Sequence, residues 1–485
     1  MTKMKNKFYI TSAIPYVNAK PHIGHAQEFV YADVIRRKKI MDGYEVTYLS
    51  GADENALKIY QASQKAGQMT QEFIDIHNQE FLSVAETLHV KFDIWQRGSD
   101  QIKHFPSSQK LWNLCKSNDD IYKKNYTGLY CVGCETFYAK DELDEKGECI
   151  EHPGKKLDEI TEENYFFKLS KYQNFIEDLI STDKLKIIPE VRKNEALSFV
   201  KKGLEDFSIS RSRERACGWG IPVPDDPNQI IYVWFDALNI YQTGIGFGSE
   251  DKQYKKLWPA DIHVIGKGII RFHAIYWPAI LKSAGLEMPK EIFVHGYLTV
   301  DGQKMSKTIG NVIDPLEIVK EFGTDATRYY LLREIPSTKD GDFSKSRFLE
   351  VYNADLANGL GNLVSRVLAL CSQNSITFDP TPEESNIVVD RLKELDYFKI
   401  LDTHAFNLAL EILWKEYKNI DNEINEFQPW NKTGEELEVQ LKSYLRYIRD
   451  ITFYLSPFLP ETSEKILQNT TGKIEKVPSL FPRMK

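Results

Sequence analysis

No stretch of the chain stays apolar for the ~18 residues that a membrane span needs. The longest candidates, such as AIYWPAIL, are interrupted by proline or followed by charge. The start, MTKMKNKFYITSAI, carries basic residues but no apolar core with a small-residue cleavage site. It reads as a first strand rather than a signal peptide, and the cytoplasm is the expected compartment. An excess of basic charge is lacking too: 62 Lys and Arg against 70 Asp and Glu leave a formal net charge of −8. This argues against a nonspecific polyanion binder and leaves a shaped binder with a local basic patch, whose binding would be salt-sensitive. Cysteine is scarce, with only six residues, at 115, 131, 134, 149, 217 and 371. Three of them cluster, which points to a metal site more than to a disulfide framework. Internal repeats and low-complexity segments are absent.

What is present is an ordinary globular composition, 42% hydrophobic and 27% charged over 485 residues. That length predicts roughly two to four domains. Residues 7–14, KFYITSAI, are β-branched and aromatic enough for a buried strand. Residues 23–41 set Ala26, Phe29, Val30, Val34 and Ile35 at helical spacing, with Gly43 as a stop. YEVTYLSGADE follows as a second strand, so the chain opens with a strand–helix–strand unit of a parallel sheet. Ligands in such sheets sit beyond the carboxyl ends of the strands, the edge to which His22, His25 and Asp53 belong.

From about residue 116 to 230 the character changes to a cysteine-bearing, Lys/Glu-rich insertion. Strand-like runs return in QIIYVWFDAL, ADIHVIGKG and EIFVHGYLTV, and after about residue 350 helical patterns dominate. An α/β front with an insertion, followed by an all-α tail, is the architecture these patterns predict. The family resemblance given below implies more: a Rossmann-like α/β parallel-sheet catalytic core in two halves, 1–115 and 231–292, a zinc-bearing connective insertion, 116–230, a lysine-loop and stem-contact region, 293–350, and an all-α helical-bundle domain that binds the anticodon, 351–485.

Two histidines three residues apart, in IPYVNAKPHIGHAQEF, stand where that first helix begins. Unpaired backbone N–H groups and the helix dipole favour negative charge there, and two imidazoles add donors suited to phosphate oxygens. Gly24 between them lets a nucleotide approach the backbone. Ordinary turn histidines would look the same. DGQKMSKTIGN, residues 301–311, puts Lys304 and Lys307 in a glycine-flanked loop where two ammonium groups could clamp a di- or triphosphate. A solvated basic loop is the plainer alternative.

CVGC at 131–134 and CIEH at 149–152 form C-x2-C-x14-C-x2-H. Four N/S ligands in two short knuckles, Cys131, Cys134, Cys149 and His152, describe a closed tetrahedral structural zinc site. The paired second knuckle speaks against a redox C-x-x-C. Such an ion would stabilise a small subdomain with little core of its own.

The HIGH at 22–25 and the KMSK at 304–307, in this order and separation, resemble the class I aminoacyl-tRNA synthetases. AIPYVN (13–18), SISR (208–211), GWGIPVP (218–224), YVWFDALNIY (232–241), GKGIIRFHAIYWPAIL (266–281) and FVHGYLTVDGQKMSKTIGN (293–311) resemble its methionyl branch, of the zinc-binding bacterial type. The resemblance implies ATP-dependent activation of L-methionine to the adenylate and transfer to the 3′-terminal adenosine of tRNA(Met), with release of pyrophosphate and AMP. The attacking carboxylate is already an anion, so the first step needs alignment and charge neutralisation at phosphorus more than acid–base chemistry.

His22 and His25 match the family positions that do this, and Lys304 and Lys307 those that hold pyrophosphate in the transition state. Gly24, Glu28, Arg211 and Gly266 match further ATP-site positions. A Mg²⁺ held mainly by the ATP phosphates is implied. A methionine side chain suits aromatic walls with a weak donor to sulfur. Tyr16, Trp234 and Tyr241 match such positions, with Ala13, Ile14, Ala237, Leu238, Ile269 and His273 completing the set. Without the match, Trp234 and Tyr241 read equally as core aromatics. The resemblance assigns the substrate ammonium to Asp53, and the sulfur to the Tyr241 hydroxyl and the Ile14 N–H.

The chain departs from the family at Asn55 and Ala56, where a His-Gly pair is usual. It departs again at Gly268, in place of an aspartate that usually contacts the ribose, so ATP affinity is the property expected to differ. In the helical tail, Trp430 of EFQPWNK resembles an anticodon-stacking tryptophan, though a packing role fits the same pattern. Asn362 and Arg366, one helical turn apart, could read bases of the CAU anticodon. No counterpart of the oligonucleotide-binding appendage by which some members dimerise follows the helices, so a monomer is expected. Another class I synthetase, or a non-catalytic tRNA-binding paralogue, is the alternative reading.

Overall fold

The computed structural model describes residues 6–133, 136–138, 143–150, 157–249, 251–305, 310–380 and 386–485. It divides into two compact units. The first comprises residues 1–21, 42–83 and 91–294, the second residues 22–41, 84–90 and 295–485.

The first unit is built on a six-stranded sheet of β1 (Lys7–Ser12), β2 (Glu45–Ala52), β3 (Ile94–Arg97), β4 (Lys186–Ile188), β5 (Ile262–Gly266) and β6 (Glu291–His295). Its order is β3-β2-β1-β5-β6-β4. The pairings β1–β2, β2–β3, β1–β5 and β4–β6 are parallel, and Tyr9, Ile10, Tyr48, Leu49, Val264 and Phe293 are buried in it. Strands buried on both faces read as continuous apolar runs, which is the pattern of KFYITSAI. β1, β2 and β5 run the same way, so Ala13, Asp53 and Gly266 come to one edge of the sheet, beside the reversal of strand order between β1 and β5. The edge strand β4 lies in sequence within the Lys/Glu-rich segment, so that segment contributes to the central sheet as well. The same segment forms an antiparallel four-stranded sheet of Ile121–Cys131, Thr136–Tyr138, Asp158–Phe167 and Phe207–Ser208. A smaller antiparallel sheet joins Ser210–Ser212, Pro222–Val223 and Asp226–Ile231.

The second unit holds α1 (Ile23–Met41), which ends at Met41 ahead of Gly43 with φ +87°, where the sequence places its stop. The spacing of its apolar residues suggests one buried stripe. The structure instead buries every residue from Ala26 to Ile35, including Asp33. The charge is tolerated because it is paired. Arg328, on α2 (Thr324–Arg333), places Nη1 2.9 Å from Asp33 Oδ2 and donates to the carbonyls of Leu88, Pro457 and Phe458. Arg37 Nε donates to the same Asp33 oxygen. The helical tail is led by α3 (Phe406–Phe427) and α4 (Glu435–Leu455). The helical pattern that begins near residue 350 divides into a π-helical stretch, Tyr352–Gly361, and an α-helix, Asn362–Gln373. A two-strand ladder, Thr377–Phe378 with Gly472–Lys473, accompanies the helices.

Candidate active site

His22 and His25 cap the helix they open. The His22 carbonyl accepts the first helical hydrogen bonds, from the His25 and Ala26 N–H groups. The His22 N–H donates to His25 Nδ1, and the Gly24 N–H to His22 Nδ1, each at 3.1 Å. This is a reciprocal capping box in which imidazoles replace the usual hydroxyl and carboxylate. Both Nδ1 atoms accept, so in the neutral rings each Nε2 carries the proton and is a donor. The rings stack at 3.8 Å with 22° between planes. Burial, and then the neighbouring His22, hold the His25 imidazole well below the ordinary histidine range. A neutral ring is what the cap requires, because a protonated Nδ1 could not accept.

Gly24 is needed for space. A Cβ there would sit 3.1 Å from His22 Cε1 and Nδ1 and 3.5 Å from Met305 Cε. The side chain of the KMSK methionine therefore lies against the HIGH glycine. The Ile23 N–H also donates to the Ile313 carbonyl at 3.0 Å, tying the far end of the lysine loop to the helix start. Lys304 is exposed on a hairpin of Leu298–Val300 and Gln303–Lys304, turned through Asp301 and Gly302, both at positive φ. Lys307 lies outside the described residues. Glu28 Oε2 meets His295 Nε2 at 2.9 Å, while His295 Nδ1 faces the Gly296 carbonyl at 2.9 Å. His295 stands in the quoted stretch FVHGYL, yet nothing local in the sequence links it to a glutamate 267 positions earlier.

In the first unit, the segments that follow β1 and β2 touch through a bridge between Tyr16 and the buried Asp53. The Asp53 N–H donates to the Pro15 carbonyl and the Ala13 N–H to the Val264 carbonyl. Tyr16 meets Trp234 edge to face, ring centroids 6.2 Å apart. Trp234 is backed by Phe272, stacked in parallel at 3.8 Å, a ring that the sequence reading did not single out. Ala237, Leu238 and Tyr241 are buried on the short helical turns that follow Trp234, and Ile14 and Ile269 are half-buried. His273 lies in a π-helical turn, Phe272–Tyr276, where Nδ1 approaches the Ile269 carbonyl at 2.9 Å and Nε2 the Tyr241 hydroxyl at 2.9 Å. Burial pushes the imidazole down to about 4, so it is neutral. With Nδ1–H given to the carbonyl, Nε2 accepts the Tyr241 proton. Arg211 is buried between Tyr130 and Tyr232 and donates to the Tyr130 hydroxyl.

Among the anticodon candidates the structure brings two together. The Arg366 guanidinium lies 5.4 Å from the ring of Trp430, which is 55% exposed, and is anchored by Asp421 and Asn425. Asn362 is exposed one turn before Arg366 on the same helix. Of the four metal-ligand candidates, Cys131 and Cys149 are buried, and Cys134 and His152 lie outside the described residues. No group of three potential ligands is assembled among the described residues alone.

The first unit is a parallel sheet with a strand-order reversal, and in the second a histidine-capped helix touches the lysine loop, each as in a known class of enzyme. The chain belongs to the class I tRNA synthetases, and residues 8–368 match the family model described as tRNA synthetases class I (M). Its relatives narrow this to the methionine–tRNA ligase branch. It is 40% identical over 486 aligned residues to the methionine–tRNA ligase of Thermotoga maritima, covering 98% of this chain and 76% of that one. It is 38% identical to the ligase of Brucella melitensis, over 97% of this chain and 93% of that one. The solved structure described as Mycobacterium tuberculosis methionyl-tRNA synthetase in complex with methionyl-adenylate matches with a TM-score of 0.90 at 35% identity, covering 99% of this chain and all of that one.

Proposed function

We propose that the chain activates L-methionine with ATP and transfers it to tRNA(Met). In the first step a methionine carboxylate oxygen bonds to the α-phosphorus as the bond to the bridging oxygen breaks and pyrophosphate leaves. In the second, a hydroxyl of the terminal adenosine attacks the carbonyl carbon and AMP leaves. The observation that carries the reading is the meeting of HIGH and KMSK within one unit, through Gly24 and Met305 and through the Ile23–Ile313 hydrogen bond. The two Nε2–H groups are then fixed donors for charge that develops on phosphate, and they need little reorganisation. Lys304 and Lys307 would neutralise the departing pyrophosphate, with Mg²⁺ carried on the nucleotide and Glu28, Arg211 and Gly266 in supporting contacts.

For the amino acid, Asp53 would hold the ammonium. Tyr16, Trp234, Ala237, Leu238, Ile269 and the Tyr241–His273 pair would surround the thioether, with Ala13 and Ile14 at the carboxyl end of β1. The Tyr241 hydroxyl donates to His273, which supports the Ile14 N–H over Tyr241 as the donor to sulfur. Cys131 and Cys149 fit a thiolate zinc site, which Cys134 and His152 would complete. A zinc ion there would supply folding energy to the small sheet around it. Trp430, Arg366 and Asn362 would meet the anticodon by stacking and base-edge hydrogen bonds. The test is amino-acid-dependent pyrophosphate exchange, with and without tRNA. Methionine should drive it and leucine and cysteine should not. Exchange driven by another amino acid alone would overturn the assignment.

A further inference from the structure

Asn55 stands two residues after Asp53, at one of the positions where the chain departs from its family pattern. Its side-chain amide is buried and donates twice, to the Gly98 carbonyl at 2.9 Å and to Asp236 Oδ2 at 2.6 Å. Asp236 lies two residues after Trp234 on the turn Val233–Ala237. One amide therefore connects the segment that carries Asp53 to the turn that carries the aromatic wall. Both ends are anchored elsewhere. The Glu54 carbonyl accepts from Trp219 Nε1 at 2.6 Å, and the Glu54 carboxylate takes hydrogen bonds from Asn78, Arg97 and the Ser99 N–H. On the other side, His104 Nε2 faces Asp236 Oδ2 at 3.6 Å, while its Nδ1 meets Thr243 Oγ1 at 3.0 Å. Thr243 and Asn239 are joined in turn to Ser107. Gly98 has no side chain where one would crowd this tie: a Cβ would sit 3.0 Å from the Ala52 carbonyl oxygen and 3.5 Å from Asn55 Nδ2.

We propose that the Asn55–Asp236 pair is the positioning device of the amino-acid pocket, setting methionine affinity without touching methionine. This rests on the functional reading above, since it takes Asp53 and Trp234 as the residues that grip the substrate. Asp53 is bridged to Tyr16, and Tyr16 stands edge-on to Trp234, so the Asn55 amide closes a ring of contacts around the pocket. A site holds its geometry only when the residues behind it are locked by packing and hydrogen bonds. Removing the tie lets the ammonium anchor and the aromatic wall drift apart. The nucleotide-handling residues, on other segments, keep their places.

The experiment is steady-state methionine-dependent exchange with the wild-type chain, Asn55→Ala, Asp236→Ala, their double variant and the near-isosteric Asn55→Asp. Each single alanine variant should raise the KM for methionine about tenfold, with the KM for ATP and kcat changed less than about twofold. The double variant should be no worse than the poorer single, as for residues acting as one unit. In Asn55→Asp two carboxylates face each other across a hydrogen-bond distance and must share a proton. His104 is the further titratable group facing them. The KM for methionine should then climb as pH rises and the shared proton leaves, a step the wild type lacks. That variant keeps the size of asparagine and remains readable if the alanine variants do not fold. An unchanged methionine KM in the single variants, an equal rise in the KM for ATP, or a flat pH profile for Asn55→Asp would each overturn the inference. Absence of methionine-dependent exchange in the wild type would instead overturn the functional reading.

Discussion

His25 Nδ1 accepts the His22 N–H, and burial, then the neighbouring His22, hold its ring well below the ordinary histidine range. Replacing His25 by alanine removes both its Nε2–H donor and the acceptor for the His22 N–H. We expect at least a 10²-fold loss in adenylation rate, in line with removal of a preorganised donor, and little change in methionine affinity. Single-turnover adenylate formation measures the first and equilibrium dialysis of methionine the second. Near-normal turnover would place catalysis elsewhere. His273 offers a second measurement at this scale. Burial lowers its imidazole from 6.5 to about 4, so the unfolded chain takes up its proton at higher pH than the folded one does. Its neutral burial is therefore fully accommodated above about pH 6.5 and grows costly as pH falls toward 4, by about 1.4 kcal/mol per pH unit. Denaturant unfolding of the wild type and of His273→Gln across that range should show the wild type losing ground to the variant by this slope. A pH-independent difference would mean that His273 does not titrate as the burial demands.

At the scale of elements, Arg328 is the bolt of the second unit. One fully buried guanidinium joins α1, through Asp33, to the carbonyls that follow α4. Truncation to alanine leaves Asp33 with Arg37 as its remaining cation and orphans the carbonyls of Leu88, Pro457 and Phe458. Breaking a buried pair from one side costs about 3–5 kcal/mol. Thermal or denaturant unfolding of Arg328→Ala should show a loss of that order, and a loss below about 1 kcal/mol would show that water replaces the guanidinium. The helical tail gives a test of function rather than stability. Trp430→Ala, on an exposed ring beside Arg366, should weaken tRNA charging and leave pyrophosphate exchange alone. Equal losses in both assays would make Trp430 a folding residue.

For the whole molecule, the −8 net charge means that no general attraction draws a polyanion in. tRNA binding must come from local contacts that displace counterions, and these weaken as salt rises. Raising salt from about 50 to 200 mM should lift the KM for tRNA by tenfold or more and change methionine activation little. A salt-insensitive KM for tRNA would point to recognition by shape and stacking alone. Comparable salt loss in both reactions would point to the nucleotide site instead.

Much of this molecule is written locally. The histidine cap needs only residues 22 to 26, the start and stop of α1 need only its own sequence, and the strand–helix–strand opening follows from residue spacing. The helix bounds and the opening strands were legible because such elements satisfy themselves within a few neighbours. The imidazole cap came only with the structure, the sequence having offered the two rings as donors to phosphate. The Glu28–His295 pair, the Asn55 amide between Gly98 and Asp236, the Phe272 backing of Trp234 and the Arg328 bolt were not legible in the same way. Each joins side chains from 38 to 295 positions apart. Each also serves to satisfy a charge, a donor or a ring face that burial would otherwise strand. The sequence by itself determined the family and offered the groups proposed for the chemistry. Only the tertiary structure decided what stands behind them, because a partner for a buried polar group is chosen by where the chain folds back, which no local pattern encodes.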